Sequence, residues 1–302
     1  MNMTSTKATI PLTEAASGGK IKLVFQLLKF RLSFLVAFSA SFGYLLATKG
    51  SPDMLTLVAL SLGGFLVSGA SIIINQVLEK DLDKLMTRTA QRPLPTERMS
   101  VQDAIVVGIV VGVAGFALLA IFTNLLTAFL SLISMLLYGL VYTPLKRVGV
   151  IAVWVGAIPG ALPPLLGWVA ATGEFTKEGL IIFAIQFVWQ FPHFWAIAWV
   201  ADEDYKKAGF RLLPAQGECN FASALQIMLG ALLLIPVSLL PTYMGITGAT
   251  SAMIAGVAGI LFLLPTLQLL VSPSRKVALR IMFSSFIYLP VIQIAFLLDK
   301  IQ

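Results

Sequence analysis

Residues 105–142 read IVVGIVVGVAGFALLAIF, then Thr123 and Asn124, then LLTAFLSLISMLLYGLVY. Neither apolar run contains an Asp, Glu, Lys or Arg. Since an α-helix rises about 1.5 Å per residue, about 20 apolar residues cross the roughly 30 Å hydrocarbon core of a bilayer. Because only two residues separate the runs, this stretch predicts two antiparallel membrane helices joined by a tight turn.

The same length criterion identifies seven further segments on either side of this pair. Apolar residues make up 58% of the 302 residues and charged residues 12%, with a mean hydropathy of +0.92, whereas soluble domains carry about 25% charge. Backbone groups in lipid must bond internally, and the segments lack the alternation of barrel strands. The sequence therefore predicts an all-α, polytopic membrane bundle of about nine helices. The predicted spans are 32–48, 54–77, 105–122, 125–142, 151–170, 180–200, 222–243, 252–270 and 277–298.

The N-terminal residues differ in composition from the rest of the chain. Residues 1–30 are predicted to form a cytoplasmic tail with a short amphipathic segment over 21–30, and residues 31–302 a single transmembrane domain. No apolar run here precedes a small-residue cleavage site, so a removable signal peptide is not predicted.

Cys219 is the only cysteine, which excludes an intramolecular disulfide and a cysteine-based zinc site.

The basic residues are distributed unevenly between the two sides that nine spans would create. The N-terminal tail and the loops after even-numbered spans carry 18 of the 21 Lys and Arg residues, and Lys49, Lys177 and Lys300 lie on the opposite side. Loops rich in Lys and Arg stay in the cytoplasm. The N-terminus and the even loops are therefore predicted to be cytoplasmic. This topology explains the net charge of +7 without a nucleic-acid partner.

The fifth span contains Pro159, Pro163 and Pro164 together with several glycines. Membrane helices tolerate such residues where neighbouring groups bond the freed carbonyls. Two interpretations remain open at this point: a helix that packs closely on its neighbours, or a broken helix that lines a cavity.

Acidic residues follow the second span in the stretch Asn75-Gln-Val-Leu-Glu79-Lys-Asp81-Leu-Asp83. At about 100° per residue, Asn75, Glu79 and Asp83 lie within about 80° of one another on a helix. Asp81 lies about 240° from Asn75 and would join this stripe only if the helix loosened.

Carboxylates one helical turn apart repel each other. The stripe therefore requires either a cation between the carboxylates or Arg88 and Arg92 folded back onto them. Mg2+ prefers carboxylate and amide oxygens and retains sites for phosphate. This composition favours a magnesium–diphosphate site, with solvated interfacial charge as the alternative interpretation.

A second acidic cluster, Asp202-Glu-Asp204-Tyr205, closes the sixth span on the same side, and the loop after the fourth span carries Tyr142-Thr-Pro-Leu-Lys146-Arg147. The Lys146 and Arg147 side chains are cations suited to binding phosphate oxygens. The three clusters together predict a metal-bound diphosphate whose lipid tail enters the bundle.

His193 is the only histidine, and it lies within the sixth span. An ionisable residue at membrane depth indicates a functional site by default. Three roles remain open for His193: a structural hydrogen bond to Gln190 or to a neighbouring helix, contact with a haem, and proton transfer.

Five stretches carry a resemblance to a known family: 75–95 (NQVLEKDLDKLMTRTAQRPLP), 142–147 (YTPLKR), 156–168 (GAIPGALPPLLGW), 189–198 (WQFPHFWAIA) and 203–214 (EDYKKAGFRLLP). With these motifs the chain resembles the UbiA superfamily of intramembrane prenyltransferases over residues 30–298. Within that superfamily it is most similar to the protohaem IX farnesyltransferase family. Two positions depart from the family pattern: many members have Asp where this chain has Glu79, and Asn where it has Ala152.

The resemblance implies that farnesyl diphosphate and haem B are the substrates, that haem O is the product and that Mg2+ is the cofactor. It implies a bacterial cytoplasmic membrane with the site facing the cytoplasm, and transfer of the product to a haem A synthase or a terminal oxidase. The alternatives are an aromatic or quinone acceptor, or a transporter, for which midplane charges and inverted repeats would be expected. The site residues implied are Asn75, Glu79, Asp83 and Lys146 for catalysis; Asn75, Glu79, Asp83, Asp202 and Asp204 for the metal; and Arg88, Arg92, Arg147, Tyr142, His193 and Tyr205 for the substrates.

Overall fold

The computed structural model describes residues 12–301, and within that range the regular elements are helical apart from one isolated bridge between Thr247 and Lys300. A π-helical turn, Leu137–Tyr142, interrupts the fourth span. The helices are α1 (Leu12–Leu28), α2 (Phe30–Ala47), α3 (Met54–Leu78), α4 (Lys80–Leu85), α5 (Val101–Phe122), α6 (Leu125–Leu136), α7 (Thr143–Leu145), α8 (Ile151–Thr172), α9 (Lys177–Val200), α10 (Asp202–Lys207), α11 (Phe221–Tyr243), α12 (Ala249–Val271) and α13 (Arg275–Leu298).

The prediction of nine membrane spans is confirmed for the described residues, in which nine helices are long and apolar enough to cross a bilayer. Several spans begin a few residues earlier than their apolar segment. In α5, for example, Ser100 accepts a hydrogen bond from the backbone N–H of Asp103 at 3.0 Å and starts the helix at Val101. Polar caps stabilise first turns, and a hydropathy criterion does not include them.

The tight turn predicted between the third and fourth spans is present. The side chain of Asn124 accepts a hydrogen bond from the backbone N–H of Thr127 at 2.8 Å, which caps α6. Its amide nitrogen donates to the carbonyl of Val169 at 2.9 Å. One residue therefore starts a helix and ties the hairpin to the end of α8.

Consecutive spans pack side by side in chain order, and the last span, α13, packs against α9 and α2. Helix α8 also packs along α2. The bundle closes on itself, and the space that it encloses is bordered by α2, α3, α5, α6, α8, α9 and α13.

Helix α8 is continuous despite its three prolines, so the broken-helix interpretation is wrong. Pro163 and Pro164 have no N–H, which leaves the carbonyls of Pro159 and Gly160 without helical donors. Ser134 donates to the Pro159 carbonyl at 3.5 Å and Gln186 to the Gly160 carbonyl at 2.8 Å. Because α6 and α9 supply these donors, the helix continues while still facing the enclosed space.

Glycines allow α2 and α8 to lie very close together. A methyl group added at Gly43 would overlap the carbonyl oxygen of Pro164, and one added at Gly167 would overlap that of Ala40. Close approach of backbones through glycine is a common mode of membrane helix association.

The chain bends sharply between α1 and α2 at Lys29, whose φ of 45° lies in the left-handed region. Leu27 and Leu28 are buried against Ile73, and Gln76 donates to the Leu27 carbonyl at 2.7 Å. The predicted amphipathic segment is thus the end of α1, which is tied to α3. The first eleven residues of the predicted tail lie outside the described residues.

Candidate active site

A cavity of about 450 Å3 lies between the helices named above, within the usual range for ligand sites of about 300–1,000 Å3. Its charged end lies beside the loops that follow the second and fourth spans. Its deep part is bordered by apolar side chains such as Leu60, Leu119 and Leu166. The cavity therefore offers a polar environment at one end and an apolar one along its length.

Asn75, Glu79 and Asp83 line the charged end together and are almost fully buried. Helix α3 ends at Leu78, but the backbone N–H of Glu79 still bonds the Asn75 carbonyl, and that of Asp83 the Glu79 carbonyl. The four-residue spacing therefore persists across the helix break. Asp81 lies outside this row: its side chain is 90% exposed, and its nearest cation is Lys84 at 3.8 Å.

Basic side chains fold back onto both carboxylates. Arg92 Nη1 lies 2.6 Å from Asp83 Oδ2, and Lys146 Nζ donates to Glu79 Oε2 at 2.9 Å. Of the two arginines expected to fold back onto these carboxylates, Arg92 does so and Arg88 does not. Burying a charge is costly unless it is paired, so these two pairs explain how the carboxylates remain buried.

The first motif retains oxygens that can take a further ligand. Asp83 Oδ1 is buried and accepts no hydrogen bond from the described residues. Asn75 donates through Nδ2 to Thr143 Oγ1 at 3.1 Å, which leaves its carbonyl oxygen as an acceptor.

Among the described residues, no group of three or more His, Cys, Asp and Glu side chains converges on one point. Mg2+ typically binds one or two carboxylates together with substrate phosphates, rather than a complete protein cage. Asp83, Glu79 and Asn75 therefore fit this ion, provided that phosphate oxygens complete its coordination.

The second acidic motif meets the first, but through the backbone. Asp204 accepts hydrogen bonds from the N–H groups of Thr87 and Arg88 at 3.2 and 3.1 Å, and from Lys207 Nζ at 3.0 Å. The Lys207 bond, followed by the two N–H donors, lowers the pKa of the Asp204 carboxyl well below its ordinary value. Asp202 pairs with Lys206 at 2.9 Å.

Two of these expected metal ligands and one expected phosphate contact do not line the cavity: Asp202, Asp204 and Arg147. Arg147 is exposed. The convergence of carboxylates from two helices around one ion is therefore not observed. The side chains of the second motif turn instead to their own lysines and to the loop after α4.

Of the six residues expected to bind substrate, all except Arg147 line the cavity: Arg88, Arg92, Tyr142, His193 and Tyr205. The Arg88 guanidinium lies 4.7 Å from the centre of the Tyr205 ring, and Lys146 Nζ lies 4.9 Å from that of Tyr142. Contacts of this type orient a cation without neutralising it. Tyr205, rather than the neighbouring carboxylates, is the contribution of the second motif to the cavity.

Lys29 also lines the charged end, although the sequence pattern did not single it out. Burial, together with the neighbouring charges of Arg92 and Lys146, lowers the pKa of Lys29 to about 7. The position of this lysine immediately before the first span was the available signal. The left-handed bend that turns it inward is not visible in the sequence.

Polar side chains also occur deep in the cavity wall. Gln293 Nε2 donates to Ser39 Oγ at 2.9 Å and to Gln186 Oε1 at 3.1 Å, and Ser39 donates to Gln186 at 2.8 Å. These bonds join α13, α2 and α9. His193 lies on the same wall with its Nδ1 2.8 Å from Ser285 Oγ.

Residues 36–289, which include every span except parts of the first and last, match the UbiA prenyltransferase family. The chain belongs to the UbiA prenyltransferase family. One relative of this UbiA chain is the protohaem IX farnesyltransferase of Cytophaga hutchinsonii. It is 52% identical over 277 residues, which cover 92% of this chain and 97% of the relative. The chain is therefore a multi-pass membrane prenyltransferase.

Solved structures share the UbiA fold at low identity. A structure of digeranylgeranylglyceryl phosphate synthase superposes with a TM-score of 0.77 at 20% identity, covering 93% of this chain and 98% of that one. A UbiA homologue from Archaeoglobus fulgidus, bound to DMAPP and Mg2+, gives a TM-score of 0.62 at 18% identity and covers 89% and 99%. These similarities show that the chain has the UbiA fold.

Proposed function

We propose that this UbiA enzyme transfers the farnesyl group of farnesyl diphosphate to a vinyl group of protohaem IX (haem B), which gives haem O. The observation that carries the proposal is the buried row Asn75, Glu79 and Asp83 at the charged end of a cavity whose deeper walls are apolar. An anionic diphosphate with a long apolar tail matches this distribution. The identity with protohaem IX farnesyltransferases supports haem as the acceptor in preference to a quinone precursor.

In this proposal Mg2+ would be held by Asp83 Oδ1, by the side-chain oxygen of Asn75 and by the Glu79 carboxylate. When bound, the ion supplies Lewis-acid neutralisation of the diphosphate charge. The archaeal homologue that binds DMAPP together with Mg2+ supports this assignment.

The basic residues of the charged end act on the leaving group. Arg92 and Lys146 would exchange their carboxylate partners for diphosphate oxygens, joined by Arg88 and Lys29. As the allylic C1–O bond breaks, negative charge develops on the leaving diphosphate, and preorganised cations stabilise that charge most strongly in a site with little water. Tyr142 and Tyr205 border the same space and hold Lys146 and Arg88 in place.

The overall reaction balances with one water molecule. The vinyl carbon of haem forms a bond to C1 of the farnesyl group, water adds to the resulting haem cation, and a proton is released. The apolar walls exclude other water from the farnesyl cation, which would otherwise be hydrolysed.

Asp204 has a positioning role in this proposal, because it holds the backbone of Thr87 and Arg88. To ligate a metal, as the family resemblance implies, it would have to give up three hydrogen bonds. Asp202 and Arg147 lie outside the cavity, and we assign them no contact with substrate. Two expectations remain predictions. One is location in a bacterial cytoplasmic membrane with the charged end on the cytoplasmic side, and the other is transfer of haem O to a haem A synthase or a terminal oxidase.

Purified enzyme incubated with haem B, farnesyl diphosphate and Mg2+ tests the proposal directly. We expect a more hydrophobic haem whose mass increases by one farnesyl group and one water-derived hydroxyl. Unchanged haem together with prenylated 4-hydroxybenzoate would assign the enzyme to a different acceptor.

Asp83→Ala is expected to lower turnover by at least about a hundredfold, because removal of one electrostatic partner at such a site costs about 10²–10³ in kcat. Since breaking a buried ion pair also destabilises the fold by about 3–5 kcal/mol, the isosteric Asp83→Asn should be measured beside it. Asp81→Ala is the matched control: this carboxylate is two residues away but exposed, and its activity should equal that of the wild type. Full activity of Asp83→Asn would remove the first motif from the reaction.

A further inference from the structure

His193 lies in the wall of the cavity, away from its charged end. It precedes the last residue of α9, Val200, by seven positions, which corresponds to about 10 Å along a helix. Its side chain is more than nine-tenths buried and lines the cavity. The site proposed for the diphosphate does not use it.

Hydrogen bonds determine which ring nitrogen of His193 carries the proton. Ser285 Oγ donates its single hydrogen to the carbonyl of Met282 at 2.6 Å. A hydroxyl has only one hydrogen to donate, so His193 Nδ1, 2.8 Å away, must be the donor to Ser285 Oγ. Nε2 therefore carries a free lone pair, and it has no hydrogen-bond partner among the described residues.

Packing holds the imidazole ring in this orientation. The ring stacks on Trp189 with centroids 4.2 Å apart and planes 17° apart, and it meets the edge of Phe286 at 5.2 Å. Trp189 Nε1 in turn donates to the Ser285 carbonyl at 3.1 Å. A histidine that donates through one nitrogen and presents the other, with its ring held in place, is the usual arrangement of a metal ligand.

The surroundings of the ring favour a neutral role over proton transfer. Among the described residues no carboxylate forms a hydrogen bond or ion pair with His193; its ring contacts Ser285, Trp189, Phe194 and Phe286. An imidazolium formed there would have no counter-ion, and an uncompensated charge at membrane depth is costly. Coordination to iron requires the neutral ring, with Nε2 unprotonated.

We infer that His193 Nε2 is an axial ligand to the iron of the haem acceptor. The inference rests on the proposed function, because it takes haem B to be the molecule that occupies the cavity. Coordination at this depth fixes the centre of the macrocycle away from the charged end. A vinyl group at the macrocycle edge can then approach C1 of the farnesyl chain while the iron remains on α9.

The experiment measures haem ligation in the absence of farnesyl diphosphate and Mg2+. Purified protein is titrated with haem B, and ligation is followed by the Soret and visible bands and by electron paramagnetic resonance of the ferric form. We expect histidine ligation in the wild type. In His193→Ala we expect that signature to be lost, haem affinity to fall at least tenfold, and added imidazole to restore the spectrum.

Two further variants guard against a general loss of structure. His193→Met replaces the imidazole by a thioether, and it should change the ligation signature to that of methionine rather than abolish it. Gln190→Leu removes another polar group one turn away on the same wall, and its histidine signature should be retained.

Identical spectra for the wild type and His193→Ala would overturn the inference, as would failure of the wild type to bind haem. Normal ligation in His193→Ala with loss of transfer would indicate a proton-transfer role and would also overturn it. Transfer assays on the same preparations separate the two proposals: histidine ligation without any farnesyl transfer would contradict the proposed function and leave the inference standing.

Discussion

At the scale of single residues, both carboxylates at the charged end of the cavity are already paired with cations. Arg92 and Lys146 neutralise Asp83 and Glu79 before any substrate binds. When a diphosphate binds with its metal, the basic side chains can pair with the diphosphate oxygens and the carboxylates with the metal, so the number of ion pairs stays similar. The charges are thus preorganised, and little rearrangement is needed when the leaving group forms.

Lys29→Ala is expected to raise the KM for farnesyl diphosphate about tenfold, a loss of about 1.4 kcal/mol, with little change in the KM for haem. Because the pKa of Lys29 is lowered to about 7, the lysine is charged below neutral pH and becomes neutral as the pH rises above it. Farnesyl diphosphate should therefore bind more weakly at pH 8.5 than at pH 6.5.

Steady-state measurement of the KM for farnesyl diphosphate at both pH values tests this expectation, and two variants serve as controls. Lys29→Arg should bind farnesyl diphosphate equally well at both. Arg31→Ala removes an exposed cation two residues along the chain and should behave as the wild type. An unchanged KM in Lys29→Ala would place Lys29 outside the diphosphate site.

Cys219 should react slowly with alkylating reagents in the folded protein. Burial, and then the nearby charge of Asp202, raise the pKa of its thiol to about 12. At pH 8 its thiolate fraction is about a thousandfold below that of an unperturbed cysteine with a pKa of about 8.5. Since the thiolate is the nucleophile, the rate should rise about tenfold per pH unit up to pH 10.

Mass spectrometry after timed iodoacetamide treatment measures this rate, with the protein unfolded in denaturant as the reference. Asp202→Asn should accelerate the reaction by removing a neighbouring negative charge. A native rate equal to the unfolded one would contradict the raised pKa.

At the scale of elements, α8 shows how a membrane helix can contain three prolines and remain continuous. The donors that replace the N–H groups missing at Pro163 and Pro164 come from α6 and α9. Gly167, together with Gly43 of α2, brings the backbones of the two helices within contact distance. This helix is the most buried of the nine described spans, and it positions the wall on which the cavity depends.

Gly167→Ala is expected to destabilise the protein by at least about 2 kcal/mol, because overpacking of a dense interface typically costs 1–3 kcal/mol. The added methyl would overlap the backbone of Ala40, which cannot move without shifting α2. Gly256→Ala in α12 is the matched control, since nothing lies within 4 Å of a methyl there. Thermal unfolding in detergent should show a lower midpoint for Gly167→Ala alone, and equal midpoints would contradict the close contact.

At the scale of the whole molecule, the ring of spans encloses a cavity whose charged end coincides with the side rich in Lys and Arg. The same residues that are predicted to set the topology therefore also supply the cations of the site. Lys29, Arg88, Arg92 and Lys146 lie in the tail or in even-numbered loops, and all four line the cavity.

The predicted orientation can be tested with single cysteines in a Cys219→Ser background. Ser51→Cys and Glu174→Cys lie in loops predicted to face outward, and Gln102→Cys lies near the start of α5, which is predicted to face the cytoplasm. A membrane-impermeant maleimide applied to intact cells should label the first two and spare the third. The reverse pattern would invert the topology without affecting the fold.

The sequence alone was sufficient for the number of spans, for the hairpin at Thr123 and Asn124 and for the common face of Asn75, Glu79 and Asp83. Each depends on local properties: the length of an apolar run, the capping chemistry of a turn and the rotation of about 100° per residue. Only the tertiary structure decided three features of the site. It decided whether Asp202, Asp204 and Arg147 reach the cavity, whether Lys29 turns into it, and which nitrogen of His193 is free. These features depend on contacts between residues far apart in the chain, such as Asp204 with Arg88 and His193 with Ser285, and no local pattern encodes how two helices rotate against each other.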